Sequence, residues 1–145
     1  MAHNSHTIPI VSSSTAGPLG AIHLPRLWAK LSLDAAGKLP PDYDACGSGF
    51  DQMTIDDLGL KKDEVVQYVK SKHPTYVQFE EWVVERGKTD PETVRKHNDN
   101  VRNYKHSDDK AAKMREAAGL KRGDVKDAVT LNTLEDLHDF HAALA

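Results

Sequence analysis

Three groups of residues have the types and spacing that chemistry needs. The first is His23, Arg26 and Lys30. At about 3.6 residues per turn they share one side of a helix, beside its apolar stripe, and Asp34 continues the same edge. Arg26 could hold a carboxylate or phosphate through a two-point fork, and Lys30 would add a second positive charge. His23, at the helix entrance, could move a proton near neutral pH. The structural alternative is that Arg26 and Lys30 lay their stems over the core edge while His23 only helps to start the helix.

The second group is the loop Asp44-Ala45-Cys46-Gly47-Ser48-Gly49-Phe50-Asp51. Its glycines let backbone approach a ligand, and it leads into a helix N-terminus, where an anion can be held and a thiol activated. Cys46 could then be a nucleophile with His23 as its base, and Asp44 or Asp51 would handle protons. The loop lacks the lysine of a P-loop. A lone cysteine also fits a small buried hydrophobe, and Asp51 also fits a helix cap.

The third group is Glu135, His138 and His141, spaced so that neighbours meet on one side of a last helix. Glu-x-x-His binds metal in di-iron bundles only with a second matching set, and the chain has no second Glu-x-x-His. Metal binding there is not favoured, and no cofactor is expected. His141 also falls beside Leu137 and Leu144, where it could simply fill an inner face. His3 and His6 sit in the lead-in; His97 and His106 are too far apart to chelate locally, and His97 reads as packing within its helix. No Ser-His-Asp signature, dinucleotide fingerprint or zinc-finger spacing is present.

The elements that must position these groups are marked by helix punctuation. Pro25 suits a first turn, and Leu24, Leu27, Trp28, Leu31 and Ala35 recur at helical spacing up to Gly37 and Pro40-Pro41. Phe50, Met53, Ile55 and Leu58 predict a short second helix capped by Gly59. Val65, Val66 and Val69 predict a third over 62–70. Thr75 and Gln78 have capping-box spacing for a fourth, with Phe79, Trp82 and Val83 inward and Gly87 at its end. Asp90-Pro91-Glu92 opens a fifth, polar helix to about His106, with the stripe Val94, His97, Val101 and Tyr104. Ser107 caps a sixth that ends at Gly119. Asn132 or Thr133 opens the last, with Leu134, Leu137, Phe140 and Leu144 inward. Val125 to Leu131 is the one weak strand candidate.

Composition bounds the rest. The chain has 145 residues, 39% hydrophobic and 6% aromatic, so its core must rest on Leu, Val, Ile and Ala. A net charge of -3 argues against a general nucleic-acid binder. One cysteine excludes an internal disulfide, and no stretch is long and apolar enough to span a bilayer. Residues 1–17 read as a flexible lead-in without a basic start or apolar leader run. A cytoplasmic location is the expectation. The thin apolar content also fits a homodimer.

His23-Leu24-Pro25-Arg26, Lys30, Tyr43-Asp44-Ala45-Cys46, Phe50-Asp51 and Leu58-Gly59-Leu60 together resemble the domain-of-unknown-function family 5069, with Asp63 to Val83 continuing the likeness more loosely. The resemblance covers about residues 17–87. It implies a small, mainly helical bacterial domain and brings no chemistry with it.

The expected fold is therefore an all-α, compact bundle of six to seven short helices over 18–145 as a single domain, with 88–145 a more polar extension or lid. The expected function is a small enzyme or binding domain for a polar or anionic small molecule. His23, Asp44, Cys46 and Asp51 would carry proton transfer or nucleophilic chemistry of lyase, isomerase or hydrolase type, and Arg26 and Lys30 would anchor the anion. The alternative is a non-catalytic interaction or regulatory domain, in which His23 to Asp51 only build the core. That alternative predicts no cavity, and loss of stability when Arg26 or Asp51 is changed.

Overall fold

The computed structural model describes residues 5–145. Within them the chain forms α1 (Leu24–Ala35), α2 (Phe50–Asp57), α3 (Lys62–Lys72), α4 (Tyr76–Arg86), α5 (Pro91–Asn103), α6 (Asp108–Ala118) and α7 (Ala128–Ala143). Among the described residues no strand forms, only an isolated bridge between Lys105 and Asp127. The fold is all-α.

Local chemistry sets most boundaries. Thr75 and Gln78 make a reciprocal capping box, Gln78 N–H donating to Thr75 Oγ1 at 3.2 Å and Thr75 N–H to Gln78 Oε1 at 2.9 Å. Asp90 and Ser107 cap α5 and α6. Gly119 takes the left-handed conformation (φ 76°) that closes α6.

The apolar faces of α1, α3 and α4 meet in the main core, with Leu24, Leu27, Leu31, Val65, Val69, Phe79 and Val83 all buried. From the chain beyond α4, Val94 alone joins this cluster. A smaller cluster of Ile22, Phe50, Val101 and Ala128 lies where α2, α5 and α7 come together. The polar helix α5 is held largely by hydrogen bonds. Its Asn98 accepts from Ile22 N–H (2.9 Å) and donates to Gly20 O (2.8 Å). Its fully buried His97 bridges Ile22 O (2.9 Å) and Asp57 (2.8 Å).

Four expectations are corrected. The fifth helix stops at Asn103, short of His106. The last begins at Ala128 rather than at Asn132 or Thr133, because Asp127 caps it by accepting from Thr130 N–H at 2.9 Å; Val125 to Leu131 is no strand. Its inner face is Ala128, Leu131 and Asp136, whereas Leu137, Phe140 and Leu144 are 52%, 42% and 69% exposed. Apolar periodicity misjudged the face, because a buried ion pair at Asp136 turns the helix.

The lead-in is fastened from Thr7 onward. Thr7 N–H donates to Lys38 O at 2.8 Å, and Pro9 and Ser13 are buried. His3 lies outside the described residues, and His6 is exposed. No helix among the described residues is long and apolar enough to cross a membrane.

Candidate functional site

A polar cavity of about 440 Å³ opens between α1, the 42–49 loop and the start of α2. Its remaining walls come from Tyr104, His106 and Lys110, and from Ala128, Asn132 and Glu135 of α7. The C-terminal half thus closes one side of a site whose other side is N-terminal. A second hollow, between α3 and α4, is shallower and holds a stacked Tyr68–Trp82 pair (4.5 Å) with Arg86 over the indole. The polar cavity is where the titratable groups converge.

Asp51, in the first turn of α2, is the hub of its floor. Oδ1 accepts from His23 Nε2–H at 2.7 Å, while Oδ2 accepts from Gly47 N–H at 2.8 Å and from the Lys30 ammonium. Burial alone would push this carboxyl up; the His23 hydrogen bond and the Lys30 charge outweigh it and hold the pKa at about 2. Asp51 is therefore a fixed carboxylate, fully engaged, with no capacity as a proton donor near neutral pH.

His23 is 2% exposed and sits just before α1 in a left-handed conformation (φ 68°), which costs on the order of 1–3 kcal/mol for a residue with a side chain. The hydrogen bonds of His97 and Asn98 to Ile22 help to hold the chain there. Burial pushes the imidazole below its ordinary pKa. The neutral ring donates from Nε2 to Asp51 and accepts at Nδ1 from Ser13 Oγ–H at 2.9 Å. Ser13, His23 and Asp51 stand in the order of a hydrolase triad. Yet Ser13 is 2% exposed and lies behind the imidazole, away from the cavity lining. The row positions the lead-in against the loop and presents no nucleophile.

Arg26 is not free to anchor a ligand. Its Nη1 donates to Pro9 O (2.7 Å), Val11 O (2.9 Å) and Asp136 Oδ2 (2.6 Å), and its Nη2 to Asp136 Oδ1 (3.1 Å). The guanidinium ties the lead-in, α1 and α7 together. Tyr43 O–H reaches the same acidic group, Asp136 at 3.1 Å and Asp139 at 2.9 Å; burial and these carboxylates push the phenol up. Lys30 is likewise committed to Asp51. Both cations proposed as anion anchors line the cavity, but each is neutralised inside the protein.

Asp44 lies on the cavity rim and is exposed. Cys46 does not line the cavity; it packs against the main core, and burial pushes its thiol up, so the helix N-terminus does not activate it. Cys46 and His23 make no hydrogen bond among the described residues; the two ring nitrogens of His23 engage Ser13 and Asp51 instead. Glu135 borders the cavity, while His138 lies in an adjoining groove with Asp139, and His141 is exposed. Among the described residues no group of three or more His, Cys, Asp or Glu is arranged to hold a metal ion.

Sequence reasoning missed His106, Asn132 and Lys110 on the cavity wall, and Ser13 and Asp136 behind it. His106 Nε2 lies 3.2 Å from Asn132 Oδ1, and burial lowers its pKa. His106 and Asn132 are 26 residues apart, so no local pattern joins them. Asp136 gave no local signal either: at about 100° per residue it falls away from the Leu134–Leu137–Leu144 stripe, and its partner Arg26 is 110 residues distant.

An all-α domain with a polar cavity between its halves is thus the class that fold and site define. The family model described as "Domain of unknown function (DUF5069)" matches residues 11–142, and the chain belongs to that family. The match extends well beyond residues 17–87 and takes in the C-terminal wall of the cavity. No curated protein matches the chain.

Proposed function

We propose that this chain binds a small polar molecule in the cavity between α1, the 42–49 loop and α7, and acts on it by proton transfer. One observation carries the reading: polar side chains from five separate stretches converge on one concave site of a size suited to a small ligand. His106, with Asn132 on Nε2, offers an uncommitted ring nitrogen to that space, and Glu135 offers a carboxyl. This would suit a lyase, isomerase or hydrolase step without an organic cofactor. A cytoplasmic setting belongs to the same reading and is supported by the free thiol of Cys46.

The test is a thermal-shift panel of small carboxylates, phosphates, amines and polyols on the full chain and on Ser48→Trp, which narrows the cavity rim. At least one compound should raise the midpoint of the wild type and not of the variant. A panel without any such compound would remove the reading. A second reading, a non-catalytic interaction domain, is favoured by the internal pairing of Arg26 and Lys30. It predicts that negative result.

A further inference from the structure

The geometry points to an organic cation, a primary amine or guanidinium on a small frame, as the occupant of the polar cavity, rather than the anion that Arg26 and Lys30 suggest in sequence. This inference rests on the ligand-site reading above and adds the charge class of the ligand.

The charges that remain open decide the ligand's sign. Arg26 and Lys30 are closed off by Asp136 and Asp51 in contacts buried from water. A buried pair cannot release its cation to a ligand without leaving a carboxylate unpaired in low dielectric. The cavity's other fixed cation is Lys110, an exposed side chain on α6. Against it stand three carboxylates, Asp42, Asp44 and Glu135, none of which is in an ion pair among the described residues. The balance of open charge is negative. His106 adds no positive charge at neutral pH, because burial favours its neutral ring. Glu135 itself registers the excess: burial, then the nearby Asp139 and Asp136, raises its carboxyl pKa.

The apolar part of the wall agrees with the charge. Phe50 and Tyr104 both line the cavity and meet edge to face, their ring centres 5.6 Å apart at 70°. Aromatic faces attract ammonium and guanidinium groups and repel carboxylates. The neutral His106 nitrogen can accept a hydrogen bond from an N–H donor, but it has no proton to offer an anion. An anionic ligand would face three carboxylates with one exposed lysine to hold it; a cationic one would meet carboxylates on the 42–49 loop and on α7, and the neutral ring of His106.

The test uses agmatine as the cationic probe and malonate and inorganic phosphate as the anionic ones, at low salt, with the full chain. Backbone amide NMR follows Tyr104, His106 and Asn132, and calorimetry gives the affinity. Agmatine should shift those signals, and the double variant Asp44→Asn/Glu135→Gln should weaken its binding by about tenfold. Both substitutions are at exposed positions, and the variant's unchanged thermal midpoint would show that it is folded. Agmatine shifting only signals remote from the cavity, or leaving all signals in place, overturns the inference. Malonate or phosphate shifting the cavity signals while agmatine does not also overturns it, yet leaves the ligand-site reading intact. That reading falls only on the panel with Ser48→Trp.

Discussion

Arg26 of α1 and Asp136 of α7 form a two-point ion pair, 2.6 Å and 3.1 Å, across 110 residues of sequence. Both side chains are nearly excluded from solvent. Removing one partner leaves the other charged and buried, which typically costs about 3–5 kcal/mol. Asp136→Ala and Arg26→Ala should each lower the thermal midpoint strongly. The double variant Arg26→Met/Asp136→Leu should recover much of the loss. Equal and additive losses in a denaturation cycle would show that the pair is not coupled. An anion anchor would behave differently, since its loss would weaken binding and spare the midpoint.

Acid should destabilise the fold in two steps. His23 is neutral in the folded state with a pKa below its ordinary 6.5, so its contribution is complete above that value and erodes as the pH falls through it. Asp51 is held at about 2 against an ordinary 3.8; its contribution is complete above the ordinary value and is lost as the pH falls toward 2. The second step is worth about 2 kcal/mol. Urea denaturation as a function of pH would display both. Asp51→Asn should remove the lower step and lower stability at neutral pH. Stability that stays flat from pH 7 to 3 would contradict both assignments.

Cys46 should be a slow nucleophile. It packs on the main core, and burial raises its thiol pKa. Alkylation by iodoacetamide near neutral pH should run more slowly in the native chain than in the chain unfolded in urea. Cys46→Ala should keep any ligand response found in the panel. Native alkylation that outpaces the unfolded reaction would restore the thiol as a candidate nucleophile.

Leu131 and Leu137 lie on the same helix and differ in burial, at 1% and 52% exposed. Leu131→Ala should cost about 2–5 kcal/mol by chemical denaturation. Leu137→Ala should change stability by no more than about 0.5 kcal/mol. The reverse order would mean that α7 docks through the stripe its apolar spacing suggests.

The helices themselves were legible in the sequence because their signals are local. A capping box such as Thr75 and Gln78, or a glycine stop such as Gly119, acts within one turn, so the residues that form the boundary are also neighbours in the chain. The border of the site was legible for the same reason: Arg26 and Lys30 share an edge of α1, His23 immediately precedes that helix, and all three line the cavity. What those groups do there was decided only by tertiary structure. Ser13, Asp51 and Asp136 meet His23, Lys30 and Arg26 from 10, 21 and 110 residues away. Burial, which makes such pairing obligatory, exists only once the chain has folded. The sequence by itself determined an all-α chain with a polar helix edge at its core. The fold determined that the edge's cations are already neutralised, and that the open groups belong to Asp42, Asp44, His106 and Glu135.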